Sequence, residues 1–538
     1  MISKFINEEI GEKMIFKIAN TEEEFNQIFK LNYKTFVDEI PQHEKNEKEI
    51  LIDKFHKDNI YIIAKNKKDV VAMVSLCDKR PFSLDDKIGG IEKNYKGVFK
   101  NPIEIRLLSV KKEYRKSKVL LELLKRVYSY TIQNSYDIVF ISGITKQEKL
   151  YNHIGFKRFY KNVGTKDAQY IPMFLKLNDE TNEVFKNFNS GKIINYIPGP
   201  VDLSQRVIEK LHKKLYSHRS KQFVNLTLQT IDKLKKLLNV TDVTILHGSG
   251  TLANESILAQ LSSKELNKGL ILSNGEFGNR IIRQAKRHNL NFDTYVVDYS
   301  KSFDIDAIEL LFSKNNYDFI YLVHHETSVG IINNLEKITN IAKKYSAIVA
   351  VDAISAVGGI KYDYSNVDYV ACSSGKGLGS VAGLAIVGSN IKLVDVPKES
   401  IYLNLKYANE NNSIPFTQPS LLMEALNEAL NSFENDDIYN KILEKSSYMK
   451  EKINKINLDV LDVKQSEQSP IIMTIKIPND ISSKTLGDSL AINNILVHYN
   501  SKYLVEKNLI QFSFINKYTN LEEIDFTVDM IKYMLGDE

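Results

Sequence analysis

The chain has 538 residues, of which 43% are hydrophobic and 26% charged, a balance of folded globular domains that excludes a disordered or fibrous protein. This length exceeds a single core, so roughly two to four domains are expected. Lysine and arginine (72) barely outnumber aspartate and glutamate (67), and a net charge of +5 implies no nucleic-acid partner. The basic run "KKEYRKSK" (111–118) reads as a solvated face. The two cysteines, Cys77 and Cys372, exclude a disulfide framework and a four-cysteine zinc site, and they fit a reducing cytoplasm. The opening "MISKFINEEIGEKM" has no long apolar core, and no run approaches the ~20 apolar residues that span a bilayer. A cytoplasmic location without membrane contact is therefore expected.

In chain order, a first domain is expected over 1–177, within which residues 15–177 alternate strand-like and helix-like segments. "NIYIIAKN" and "DVVAMVSLCD" read as neighbouring strands, and "PIEIRLLSV" (102–110) is a third. The amphipathic helix "VLLELLKRVYSYTIQNS" and the strands "DIVFISG" and "IPMFLKL" complete an α+β domain. The polar stretch "NDETNEVFKNFNSGK" (178–192) has no strong period and reads as a linker. Residues 193–400 repeat strand–helix units: "DVTILHG", "GLILSNG", "DFIYLVHHE", "AIVAVDA", "DYVACSS" and "GLAIVG" are short apolar runs mostly separated by helical stretches. This pattern predicts a mostly parallel α/β sheet buried on both faces, with its ligand beyond the carboxyl ends of the strands. Residues 401–538, with "PSLLMEALNEALNSF", "PIIMTIKI" and "LIQFSFI", read as a smaller α+β domain.

One lysine, Lys376, sits among small residues in "ACSSGKGLGS" (371–380). A phosphate loop would place glycine where Val370 stands and a hydroxyl residue where Gly377 stands, so that reading fails. An imine-forming lysine needs three companions. An acid must keep a pyridine nitrogen protonated, and Asp352 ends the strand "AIVAVD". A phosphate needs a helix N-terminus, which Ser249, Gly250 and Thr251 provide in "HGSGTLANESILAQL". A ring must cover the cofactor, and Phe277 follows the next strand in "NGEFGNR". "HHE" (324–326) suggests a metal site, but adjacent residues at a strand end diverge and chelate poorly, so no metal is expected.

Together and in this order, these stretches resemble the class V aminotransferases, pyridoxal-phosphate enzymes of fold type I. The alanine–glyoxylate and 2-aminoethylphosphonate–pyruvate branch is the most similar. The resemblance also rests on "IPGPV" (197–201), "HRSKQF" (218–223), "HHETSVG" (324–330), "VDAISAVGG" (351–359) and "PFTQP" (415–419), and it covers about 195–430. It implies that Lys376 bonds pyridoxal 5'-phosphate and then shuttles a proton, and that Asp352 partners the pyridine nitrogen. By the same resemblance, Ser249, Gly250 and Thr251 cradle the phosphate and Phe277 stacks on the ring. Thr327 contacts the phenolic-oxygen side, and Thr417 reaches the phosphate of a neighbouring subunit, which implies a homodimer.

Relatives acting on α-amino acids hold the carboxylate with an arginine in the C-terminal domain, where a bidentate guanidinium fits. Here no arginine follows Arg287, and "QFSFIN" (511–516) fills that stretch with Ser513 near the expected position. Lys517 or Lys502 as a point charge, Arg219 or Arg280 from the large domain, or a substrate that is not a simple α-amino acid remain open. A cysteine-desulfurase reading needs a cysteine on a mobile loop, whereas Cys372 lies in a core strand.

The first domain ends in "LYNHIGFKRF" (150–159), which resembles the last motif of the GNAT acyltransferases. That resemblance makes Tyr151 the residue that protonates the departing coenzyme A thiolate. "PIEIRLLSV" with "KKEYRKSKVLLELL" resembles their acyl-CoA motif, implying contacts from Leu108, Val110, Arg115, Lys116, Ser117, Lys118 and Val119. Lys116, Lys118 and Leu120 stand where the family has small residues. The start "LNYKTFVDEI" (31–40) is similar to the acyl-amino-acid and acyl-homoserine-lactone synthase branch. The expectation is a bifunctional enzyme that transaminates a small amine or amino acid and transfers an acyl group from acyl-CoA to an amine. A pyridoxal-phosphate lyase, or an aminotransferase with a non-catalytic acyl-CoA-sensing domain, remains open.

Overall fold

The computed structural model describes residues 14–40, 43–164, 169–177, 188, 191–264, 266–299, 301–434, 437–461 and 467–536. Most of 178–192, read as a linker, lies outside the described residues. The chain forms two compact units: Met1–Ile194 with Ile477–Leu496 and Phe526–Glu538, and Asn195–Lys476 with Val497–Asp525.

The first unit is built on an eight-stranded sheet. Its strands are β1 (Met14–Ile18), β2 (Ile60–Asn66), β3 (Asp69–Cys77), β4 (Pro102–Val110), β5 (Ile138–Ile144), β6 (Lys157–Arg158), β7 (Val163–Gly164) and β8 (Gln169–Lys176). They are ordered β1-β2-β3-β4-β5-β8-β6, with β7 on β8. Alternation along β2 divides the core. Ile62 and Ala64 cluster with Val119, Leu123 and Val127 of α3 (Val119–Gln133), while Tyr61 and Ile63 cluster with Ile28 and Leu31 of α1 (Glu22–Tyr33). A short helix, α2 (Ser83–Ile88), follows β3.

The sheet is antiparallel except where β4 meets β5, and that parallel ladder runs only from Pro102↔Ile138 to Ile105↔Ile141. Both strands continue beyond it, so they part. Leu107 takes φ +46, and the register with β3 shifts between Met73 and Ser75. This local bulge twists the end of β4 away from β5. The C-terminal pieces complete the unit at β1: Ile18 N donates to Ser489 Oγ (3.0 Å), and Asn493 Nδ2 donates to the Phe16 carbonyl (2.8 Å).

The second unit holds a seven-stranded sheet: β9 (Asp242–His247), β10 (Gly269–Ser273), β11 (Phe292–Val296), β12 (Phe319–Val323), β13 (Ile348–Asp352), β14 (Tyr369–Ser373) and β15 (Leu384–Ser389), ordered β9-β15-β14-β13-β12-β10-β11. Only β15 runs against the others. β10, β12 and β14 are buried at every position, as strands covered on both faces require. The edge strand β11 is half polar, "FDTYV", and sequence pattern did not reveal it. Helices α4 (Lys221–Leu238), α5 (Gly250–Ser262), α6 (Glu276–Arg287), α7 (Ile305–Lys314) and α8 (Leu335–Lys344) connect or flank these strands. A smaller sheet pairs β16 (Ile472–Lys476) with β17 (Leu509–Ser513) and with Asp459–Val460.

The loop after β14 carries Lys376 and crosses the 357–359 turn at backbone contact distance. A Cβ on Gly377 would reach the Gly358 carbonyl carbon at 2.8 Å. One on Gly358 would strike Gly377 and lie 2.8 Å from Leu378 N, and Gly358 has φ +83. Gly358→Ala should therefore lower stability by about 1–3 kcal/mol in urea unfolding. An unchanged midpoint would show that the crossing yields freely.

Candidate active site

Lys376 is half-buried, and among the described residues its Nζ makes no hydrogen bond or ion pair. Burial pushes its pKa down, the Asp352 carboxylate opposes this, and the Arg280 guanidinium adds to it. A Cβ at Gly199, in the loop opposite, would lie 3.3 Å from Lys376 Cδ and 3.4 Å from Nζ, so this backbone borders the amine closely. An uncommitted amine with a lowered pKa is a nucleophile in waiting.

Asp352 ends β13, buried at the carboxyl edge of the sheet. Its Oδ2 accepts from Asn254 Nδ2 (2.7 Å), and its Oδ1 accepts from Ile354 N (3.0 Å). Asn254 is oriented in turn by Tyr321, whose hydroxyl donates to Asn254 Oδ1 (3.0 Å). Burial raises the Asp352 pKa, and these bonds together with Arg280 and Lys376 oppose it. Such a carboxylate gains from a cationic partner, which fits a protonated pyridine nitrogen. Asn254 and Tyr321 escaped the sequence reading because neither belongs to a motif that titrates or binds charge.

Helix α5 starts one residue after Ser249, whose side chain caps nothing. Gly250 is packed so closely that a Cβ would lie 2.7 Å from Ile354 Cδ1, while Thr251 is exposed. The first-turn amides beside Thr251 thus fit a phosphate. The start of α6 is occupied instead. Glu326 accepts from Phe277 N (3.2 Å), Gly278 N (3.0 Å) and Ser328 Oγ (2.6 Å). The acid of "HHE" is therefore a helix cap. His324 Nδ1 meets Tyr364 Oη at 2.8 Å, and His325 Nε2 meets Ser469 Oγ at 2.7 Å, so the two rings serve different neighbours.

Arg280 stacks its guanidinium 4.8 Å from the Phe277 ring centroid. The Thr327 carbonyl accepts from Gln511 Nε2 (3.1 Å), and Gln511 Oε1 lies 2.9 Å from His498 Nδ1. The charge of Lys376 helps to lower the His498 pKa, after burial, so His498 lies within the field of the lysine. Sequence reasoning missed it, since a lone histidine in "ILVHYN" carries no signal.

The candidate substrate cations are scattered. Lys517 donates to Ser432 Oγ (2.9 Å), lies 4.4 Å over the Phe433 ring, and is pushed by burial to about 8. Lys502 is exposed beside Glu506. Ser513 lies within β17, its N–H donating to the Tyr196 carbonyl (2.7 Å). Arg219 and Thr417 share an open cleft of about 440 Å3 with His218, Asn411 and Phe416, and Lys376 and Asp352 do not line it. Cys372 is buried, its thiol pushed up to about 12.

In the first unit, Leu108 and Val110 lie on β4 beyond its parting from β5. Arg115 is engaged, its Nε donating to the Val110 carbonyl (2.8 Å) and Nη2 to Glu39 Oε2 (2.6 Å). Ser117 Oγ accepts from Val119 N (3.2 Å) at the start of α3, and Lys116 and Lys118 are exposed there. The Tyr151 ring packs over Gly143, and its hydroxyl accepts from Ile144 N (3.4 Å) at the end of β5.

A family model described as aminotransferase class-V matches residues 201–525. The chain belongs to the class-V aminotransferase family. A second model, an acetyltransferase (GNAT) domain, matches residues 31–125. The protein is an enzyme of two parts, a pyridoxal-phosphate aminotransferase with a GNAT acyltransferase domain. It is 29% identical to an uncharacterized aminotransferase of Methanocaldococcus jannaschii, over 58% of this chain and 85% of the relative. A bifunctional phosphonoacetaldehyde hydrolase/aminoethylphosphonate transaminase of Clostridioides difficile is 27% identical, over 58% of this chain and 52% of the relative. The ureidoglycine–glyoxylate aminotransferase structure from Bacillus subtilis superposes with TM-score 0.60 at 20% identity, over 64% of this chain and 93% of that one, and shows the same fold. No helix among the described residues is long and apolar enough to cross a membrane.

The paired histidines generate a pH dependence. Burial pushes His324 down to about 3 and His325 to about 4, from an ordinary 6.5. Between about pH 6.5 and 4 the unfolded chain binds more protons, so stability falls as pH falls, approaching ~1.4 kcal/mol per pH unit for each ring. Urea midpoints from pH 7 to 4.5 should show this slope, and His325→Gln should flatten it. An equal slope in the variant would remove His325 from the account.

Proposed function

We propose that the second unit transaminates a small amine or amino acid and that the first unit acylates an amine, so that one chain carries successive steps on nitrogen. The observation that carries the aminotransferase half is the unpaired Lys376 amine, its charge suppressed, in the field of the buried Asp352 carboxylate. Pyridoxal 5'-phosphate, when bound, supplies an electron sink that weakens bonds at the amine-bearing carbon. Asp352, set by Asn254, holds the pyridine nitrogen protonated. Ser249, Gly250 and Thr251 hold the phosphate with first-turn amides. Phe277 covers one face of the ring, and Thr327 borders it on the phenolic-oxygen side. Lys376 would hold the cofactor through its amine and would move a proton at the amine-bearing carbon of the substrate. Arg280, unpaired among the described residues and stacked on Phe277, is the leading cation for an anionic substrate group. The reading includes a homodimer in which Thr417, in its open cleft, completes the partner's phosphate site.

In the acyltransferase half, the parted end of β4 lies beside an acyl-CoA thioester, whose pyrophosphate rests on the first turn of α3. The amine nitrogen attacks the thioester carbon, a C–N bond forms and the C–S bond breaks. Tyr151 returns a proton to the leaving sulfur, and the amine loses one. The missing C-terminal arginine favours one second reading of the aminotransferase half, a β-elimination.

Lys376→Ala should abolish amine exchange, and with it the cofactor adduct that borohydride locks onto the protein, while free-thiol release from acetyl-CoA with a supplied amine continues. Loss of both activities in a folded variant would sink the idea of independent sites. Keto-acid and sulfide release without amine exchange would select the elimination.

A further inference from the structure

A second cluster of charge lies in the first unit, where β4 and β5 part. Arg106 follows the last paired residue of β4, and Ser142 follows the last paired residue of β5. Residues directly opposite on an antiparallel pair share a face, so Ser75 lies beside Arg106, and Cys77 beside Glu104. Glu104 and Phe140 are partners across β4 and β5, which puts Ser142, two residues on, at that face.

Within this strip the carboxylates are already occupied. Glu104 accepts from the Ser83 and Leu84 amides, one on each oxygen at 2.9 Å, at the start of α2. Asp53 Oδ1 accepts from Phe55 N and Asn59 Nδ2, and its Oδ2 accepts from Arg106 Nη2 at 2.7 Å. The donors are not used up. Arg106 Nη1 and Ser75 Oγ are both buried without a partner among the described residues. Lys87 Nζ has one hydrogen bond, to Ser142 Oγ at 3.2 Å, and among the described residues no ion pair. Both cations rest on aromatic faces, Arg106 4.5 Å over Phe55 and Lys87 4.5 Å over Tyr170, and the guanidinium is also ion-paired with Asp53 (2.7 Å) and Glu104 (3.7 Å). Asn59 Oδ1, a neutral acceptor, is also buried without a partner among the described residues.

Buried polar groups are ordinarily paired, so the unused Arg106 Nη1 and Ser75 Oγ, with the exposed Lys87 ammonium beside them, fit an acceptor-rich group. We infer that Arg106, Ser75 and Lys87 form a subsite for an anionic group, and that the amine acylated by this unit carries a carboxylate, sulfonate or phosphonate. Glu104 and Asp53 act as positioning residues that hold the guanidinium in place. The inference rests on reading the first unit as an acyltransferase, and it adds the chemical class of the acceptor.

The test measures thiol release from acetyl-CoA by the full chain with amines differing in their distal group: ethanolamine, β-alanine, taurine and 2-aminoethylphosphonate. At least one anionic amine should exceed ethanolamine in kcat/KM by about tenfold or more, the scale of a charged hydrogen bond. Lys87→Ala and Ser75→Ala should each raise KM for that amine several-fold with little change in kcat. The melting temperature of Ser75→Ala should stay in place, since its hydroxyl has no partner, and Lys93→Ala, outside the cluster, should change nothing. Equal use of ethanolamine, or a KM that neither variant moves, overturns the inference. If no amine releases thiol, the acyltransferase reading is what fails. The subsite is then judged by calorimetric titration of the three anionic amines into the wild type and Lys87→Glu. Binding that the variant loses upholds it, and equal or absent binding overturns it.

Discussion

The proposed aminotransferase site depends on one electrostatic constraint, the buried Asp352 carboxyl in the field of the half-buried Lys376 amine, with no ion pair between them among the described residues. Burial raises the pKa of Asp352 and lowers that of Lys376, and the charge of each opposes the shift of the other. A direct pair would have quenched both. Instead the Asp352 oxygens accept from Asn254 and Ile354, and Lys376 stands on a loop that small residues allow to lie against the 357–359 turn. Replacing either glycine at that crossing pushes backbone against backbone, because no flexible side chain is there to give way.

The same logic of commitment separates the residues around this centre. Glu326 spends its carboxylate on the start of α6, and His324 and His325 face separate hydroxyl partners. The start of α5 has no such cap. Two helices beginning at the carboxyl edge of one sheet therefore differ: Glu326 takes the first amides of α6, whereas Ser249 makes no side-chain cap on α5. In the first unit the unequal distribution is of donors. The glutamate and aspartate of the strip are saturated, whereas an arginine and a serine keep unpaired groups at the point where the sheet opens.

Much of this was legible in the chain. The six apolar runs of 193–400 became six strands of one sheet because a strand buried on both faces must be apolar throughout. Their polar ends placed Asp352, Ser249 and Lys376 at one edge, since parallel strands joined by helices put all their carboxyl ends together. The strand β11 was illegible because it lies at the sheet edge, where half of its side chains meet water. Asn254, Tyr321, Gln511 and His498 were illegible because a neutral amide, phenol or imidazole shows its role only through the group that it touches.

What the sequence determined by itself is therefore what periodicity and local chemistry encode: the α+β and α/β character of the two parts, the strand ends, and the lysine and acid from which the proposed site is built. What only the tertiary structure decided are relations between residues far apart in the chain. It joined Ser489 and Asn493 to β1, ended the β4–β5 ladder at Ile105 and Ile141, set Ser75 beside Arg106, and left Lys376 unpaired while Glu326 was spent on a cap. Pairing, register and hydrogen-bond commitment depend on which groups compete for one partner in space, and a linear pattern holds no record of that competition.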